Sequence, residues 1–176
     1  MIAYKQASTL QELQQILTLQ QQNLPKSLSN AEKEQEGFLT VEHSFGILEE
    51  MNTACGHIIA VEHEKVIGYA LCMHPKFCNS IEVLKSMFQE INKLLKTHHS
   101  YMVMGQICIS KEYRGKGVFR GLYKTMKEKL PTGFDTIITE VDAKNQRSFQ
   151  AHKAIGFTEI KRYTSGEKEW SLILLK

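Results

Sequence analysis

Apolar residues along this chain fall into two spacings, and each predicts an element. Loose alternation over residues 2–7 predicts a first strand. Leu10, Leu13, Ile16, Leu17 and Leu24 then recur at helical spacing, with Glu12 at capping-box distance from Thr9, and Pro25 ends the run. Residues 29–53 predict two short helices, broken near Gly37 and Gly46. Residues 57–61 and 66–73 predict a hairpin joined at Glu64 and Lys65. Ile81, Leu84, Phe88, Ile91 and Leu95 mark a helix over 81–95. Residues 101–109 predict a largely apolar strand, and Gly105 inside it indicates a bulge or a close backbone approach. A helix over 115–130 carries the stripe Phe119, Leu122, Met126 and Leu130, and Pro131 stops it. Residues 134–141 predict another strand, 145–155 a short helix closed by Gly156, and 157–163 with 169–175 a final hairpin. This order predicts an α+β fold in one domain, residues 1–176: a mixed sheet flanked by helices.

Composition narrows the class. The 176 residues are 42% hydrophobic and 23% charged, as in a soluble globular protein with a core of its own. The net charge of +3 is too weak to imply nucleic acid. Cys55, Cys72, Cys78 and Cys108 show no CxxC pairing and read as free thiols of a reducing cytoplasm. No signal peptide is recognised and no apolar run reaches the length of a membrane span, so neither secretion nor membrane insertion is expected. His57, His63, His98 and His99 have no Cys or carboxylate spacing that makes a metal site.

Two stretches carry candidate chemistry. The strand over 101–109 runs through SKEY into Arg114-Gly115-Lys116-Gly117-Val118-Phe119 and then directly into a helix. The first N–H groups of a helix lack internal partners and sit at the positive end of its dipole, so such a junction suits phosphate. Gly115 and Gly117 let the backbone bend and approach a ligand, and Arg114 and Lys116 add charge. The alternative is a solvated basic loop. Downstream, Asn145, Ser148 and His152 are spaced three and four apart and share one helix face after a second strand. Alone, Asn145 reads as an N-cap and His152 as a surface histidine.

In that order the two stretches resemble the GNAT superfamily of acyl-CoA-dependent N-acyltransferases. Residues 114–118 match the family's [Q/R]-x-x-G-x-[G/A] cofactor signature, and Phe119 departs from it. Asn145, Ser148, Gly156 and Phe157 match N-x-x-[A/S]-x-x-x-Y-x-x-x-G-F, with His152 in place of the tyrosine. The resemblance implies a mostly antiparallel sheet of about seven strands, in which a splayed pair forms an acyl-CoA groove. It implies acetyl-CoA as cosubstrate and no metal. Backbone amides of residues 114–119 would hold the coenzyme pyrophosphate, with Asn145 and Ser148 as further contacts. The edge at Ile107, Cys108 and Ile109 would pair with the pantetheine arm and offer an oxyanion donor. The family's tyrosine protonates the leaving thiolate; His152 is the candidate here, as an imidazolium.

Glu140, at the end of its strand, is the candidate base, with a solvated carboxylate as the alternative. Gln106 can orient an acceptor or a water. Cys108 admits an acyl-cysteine route, although the family usually transfers directly. Phe119 can still present its N–H to phosphate while its ring turns into the core. Residues 28–53 carry six Glu against Lys33, a net charge of −5, which would draw a cationic amine or merely form a solvated face. The expected activity is transfer of an acetyl group from acetyl-CoA to a primary amine of a small molecule or peptide, by direct attack on the thioester. The partners are the coenzyme and an amine, in a monomer or homodimer. A coenzyme A-binding regulatory domain without turnover is the alternative, and a basic nucleic-acid module on Arg114, Lys116, Arg120, Lys124 and Lys127 is a third.

Overall fold

The computed structural model describes residues 1–30, 39–95 and 100–176. The elements are β1 (Ala3–Gln6), α1 (Leu10–Gln22), α2 (Phe45–Ala54), β2 (Ile58–Glu62), β3 (Lys65–Met73), α3 (Lys85–Leu94), β4 (Tyr101–Ile109), α4 (Val118–Glu128), β5 (Thr136–Asp142), α5 (Gln146–Lys153), β6 (Thr158–Ser165) and β7 (Lys168–Leu175). The strands form one seven-stranded sheet in the order β1-β2-β3-β4-β5-β7-β6. The pairs β1/β2, β2/β3, β5/β7 and β6/β7 are antiparallel, and β4/β5 is parallel. This is the mixed, mostly antiparallel α+β sheet that the hydrophobic pattern and the resemblance predicted. No helix among the described residues is long and apolar enough to cross a membrane.

The chain divides into two compact units, 1–72 with 105–129, and 73–104 with 130–176. In the first, α1 opens on the predicted capping box: Thr9 Oγ1 accepts from Glu12 N at 3.2 Å, and Glu12 Oε2 accepts from Thr9 N at 3.2 Å. Leu13, Ile16 and Leu19 of α1, Leu48 and Met51 of α2, and Val118, Leu122 and Met126 of α4 join Ile58–Ala60 and residues 66–71 in a core. His57 lies wholly inside it. Its Nδ1 accepts from Cys72 N at 3.1 Å, so its Nε2 donates to Leu48 O at 3.0 Å. In the second unit, β7 lies between β5 and β6, with Glu140 opposite Leu172 and Tyr163 opposite Trp170.

Several boundaries move, each for a local reason. Gly46 does not break a helix but sits in the first turn of α2, behind the Ser44 cap, where backbone N–H groups need no helical acceptor. The β2/β3 turn falls one residue earlier than expected, with His63 and Glu64 at φ 49° and 62°. The helix predicted over 81–95 begins with a 3-10 turn at Glu82–Leu84 before α3. The break expected near Gly37 lies outside the described residues, as do His98 and His99.

Candidate functional site

The glycine stretch lies in the first unit and is built from its flanks. At the end of β4, Ser110 N donates to Ile67 O at 2.8 Å. A 3-10 turn, Lys111–Tyr113, follows. Gly115 and Gly117 then take φ of +72° and +80°, a left-handed conformation that side-chain-bearing residues avoid. No atom lies within 4 Å of where a Cβ would stand at either, so the sign of φ and not lack of room selects glycine. Gly117 is the N-cap of α4 and supplies no side-chain cap. Its helix therefore begins without a side-chain cap from Gly117, beside exposed Gly115 and Lys116.

Arg114 is fixed rather than loose. Its Nε donates to Ile109 O at 3.0 Å and its Nη2 to Asn23 Oδ1 at 2.8 Å. Asn23 is itself buried and donates from Nδ2 to Leu19 O at 2.8 Å. The guanidinium thus ties the end of β4 to the C-terminal end of α1 and keeps a positive charge at the loop. Lys116 Nζ stands 5.3 Å above the Tyr113 ring, whose hydroxyl donates to Glu62 Oε2 at 2.8 Å.

Phe119 differs from expectation. Its ring is half-buried and meets Tyr123 edge-on at 5.1 Å, while Val118, Leu122, Thr125 and Met126 form the inward stripe. At about 100° per residue, Val118 and Leu122 share a line that Phe119 flanks. Cys108 is buried, and that burial pushes its thiol up to about 12, which denies it the thiolate that an acyl-cysteine route needs. Ile107 and Ile109 are half-buried beside it. Gln106 is already committed: its Nε2 donates to Val41 O at 2.7 Å and its Oε1 accepts from Tyr69 Oη at 2.7 Å. It anchors the segment before α2, with both amide atoms engaged.

Asn145, Ser148 and His152 lie together in the second unit. Asn145 caps α5, its Oδ1 accepting from Ser148 N at 3.0 Å. His152 is 2% exposed and so is not a surface histidine. Its Nδ1 lies 2.8 Å from Ser148 O, a geometry that needs the proton on Nδ1, and its ring meets Phe157 edge-on at 5.1 Å. Burial lowers its pKa to about 4. The ring is neutral near pH 7, so the imidazolium expected to serve a leaving thiolate is not the form this pocket favours. Glu140 behaves in the opposite sense. Burial raises its carboxyl to about 7, partly offset by a hydrogen bond from Tyr163 Oη.

Of the acidic stretch over 28–53, Glu42 pairs with Lys26 at 3.0 Å, and Glu49 and Glu50 are solvent-exposed. Glu32, Lys33, Glu34 and Glu36 lie outside the described residues. Spacing alone gave no sign of Asn23 beneath Arg114 or of Tyr163 on Glu140. Both pairings are made by residues distant in sequence.

Structural relatives cover nearly the whole chain. The NatC complex bound to Gag peptide and CoA contains a chain 17% identical, with a TM-score of 0.68 over 99% of this chain and 97% of that one. Arabidopsis thaliana NAA60 in complex with acetyl-CoA is 11% identical, with a TM-score of 0.65 and 99% of each chain covered. The ribosomal-protein-S18-alanine N-acetyltransferase of Escherichia coli is 13% identical, with a TM-score of 0.63 over 99% of this chain and 93% of that one. Comparison with curated proteins gives no match in sequence. Residues 13–157 match the acetyltransferase (GNAT) family, a span that takes in both the glycine loop and the Asn145 stretch. The chain therefore belongs to the GNAT acetyltransferase family.

Proposed function

We propose that this protein transfers an acetyl group from acetyl-CoA to a primary amine of a small molecule or peptide, by direct attack of the amine on the thioester. The observation that carries the reading is the left-handed Gly117 cap, which opens α4 without a side-chain acceptor beside the fixed Arg114. Such an end suits a pyrophosphate, held by backbone amides of residues 114–119 with charge from Arg114 and Lys116. In this reading Ile107, Cys108 and Ile109 offer main-chain groups to the pantetheine arm, and Asn145 and Ser148 are further contacts. The short β4/β5 ladder, Tyr101–Val103 against Thr136–Ile138, supports the splayed pair that the family uses. Acetyl-CoA supplies the activated acyl group.

The chain's own part is to bind, orient and move a proton. Glu140 is the proposed base, since a carboxyl poised near neutral pH can take a proton and release it again. Direct transfer agrees with the protonated, buried Cys108. A relative bound to Gag peptide and CoA supports keeping a peptide amine within that class, as a proposal for this chain.

A coenzyme A-binding domain without turnover is the second reading, favoured by the neutral, enclosed His152 in the tyrosine's place. Calorimetry with acetyl-CoA, and thiol release with a panel of peptides and small amines, separates the two. Binding with turnover supports the enzyme, and binding without turnover supports the second reading. No binding at high micromolar coenzyme rejects both.

A further inference from the structure

Glu140 faces a second residue that the family signatures do not include. Tyr163, on β6, donates its hydroxyl to Glu140 Oε2 and is the one side-chain partner of that carboxyl among the described residues. The phenol is held in turn. Ser86 of α3 faces it, and Ser165 Oγ donates to Ser86 Oγ at 2.9 Å. Helix α3 is also tied to β6 by an ion pair between Glu90 and Lys161. Lys93 pairs with Glu90 from the other side at 2.6 Å, so the Glu90 charge is matched locally. From β7, the residue opposite Glu140 is the uncharged Leu172, flanked by Ser171. The phenol is thus fixed from a helix and a strand, and it fixes one oxygen of the carboxylate.

We propose that Tyr163 is the positioning residue for a Glu140 base, holding the carboxylate in one orientation. This rests on the reading of Glu140 as base given above. The step is a proton transfer. The amine proton passes to Oε1, the oxygen Tyr163 does not bond, and the N–H electron pair stays on nitrogen. Tyr163 keeps its own proton throughout, because burial and the neighbouring carboxylate raise its phenol far above the ordinary range. Removing the hydroxyl while keeping the ring then has a defined sign. The hydrogen bond is the influence that lowers the Glu140 pKa against burial, so its loss raises that pKa further.

The test compares wild type with Tyr163→Phe in the full chain. Carboxyl carbon NMR follows Glu140, its signal identified by its loss in Glu140→Gln. In parallel, kcat/KM for an acetylated amine is measured against pH. Expected is a Glu140 pKa higher by roughly one unit in Tyr163→Phe, with the acid limb of kcat/KM moving by the same amount and activity at pH 7 down about fivefold. An unmoved or lowered carboxyl pKa overturns the proposal. So does a moved pKa with an unmoved acid limb. A wild-type protein that turns over with no limb removed by Glu140→Gln sinks the base reading instead, and the carboxyl titration, which needs no turnover, tells that failure apart.

Discussion

Arg114 Nη2 donates to Asn23 Oδ1 at 2.8 Å, which joins the cofactor-loop signature to a buried residue 91 positions earlier in the chain. The guanidinium cannot swing freely, so its charge is delivered at a set place. Arg114→Ala is expected to weaken acetyl-CoA binding by ~10-fold, and Asn23→Ala, which frees the guanidinium but keeps it, by less. Titration calorimetry reads both. Wild-type affinity in Arg114→Ala would remove the loop's charge from the account.

Gly117 combines a φ of +80° with the start of α4. Gly117→Ala is expected to cost about 1 kcal/mol of stability through the left-handed strain alone. Gly117→Asp adds a carboxylate against the proposed pyrophosphate and is expected to abolish coenzyme binding while leaving a cooperative thermal transition. Chemical denaturation reads the first effect and calorimetry the second. Retained binding in Gly117→Asp would reject the cradle.

Three buried histidines set an acid limit on stability. His43, His57 and His152 each have a folded pKa lowered by burial to about 4, from an ordinary value of 6.5. A depressed histidine is neutral when folded and charges when unfolded, so its contribution is present above pH ~6.5 and is lost as pH falls toward ~4. Each ring is expected to cost about 1 kcal/mol per pH unit across that window. Glu140 has the opposite sign, because a raised carboxyl favours the folded state as pH falls from about 7. Three rings against one carboxyl leave a net acid destabilisation. Thermal unfolding between pH 7.5 and 4.5 should show Tm falling, and falling less steeply in His152→Gln. An equal slope in the variant would mean that the ring does not titrate in that range.

Gln106 bridges the buried Tyr69 hydroxyl and the half-buried Val41 carbonyl. Gln106→Leu strands both the Tyr69 hydroxyl and that carbonyl, an expected cost of about 2–4 kcal/mol. Adding Tyr69→Phe removes one orphan and should recover part of the loss. Chemical denaturation of the two single variants and the double variant closes the cycle. Strictly additive losses would show that the phenol and the amide are not coupled.

Local pattern carried most of the fold. The capping box at Thr9, strand 101–109 and the Asn145 cap could be read from neighbours a few residues apart, because their physics acts at that range. Phe119 could not, since three-to-four spacing admits two overlapping stripes and only packing decides between Phe119 and Val118. His152 failed for a related reason. Its spacing placed it on the right helix face, but not that the face is closed over by Phe157, and that enclosure sets its protonation. The pairing of Tyr163 with Glu140 shows no sign in the sequence, because it depends on β7 pairing with both β5 and β6, a long-range arrangement that local spacing does not carry.

α1 and α4 begin differently. Thr9 and Glu12 complete the first turn of α1 from within the chain, whereas α4 starts on a bare glycine. An anion bound there would do for α4 what Thr9 does for α1. Coenzyme would then act as a cap the chain itself lacks, and its binding energy would appear as slowed amide hydrogen exchange concentrated at residues 118–120. Product release would then leave that turn without its cap, which couples the fraying of one helix end to the pace of the catalytic cycle.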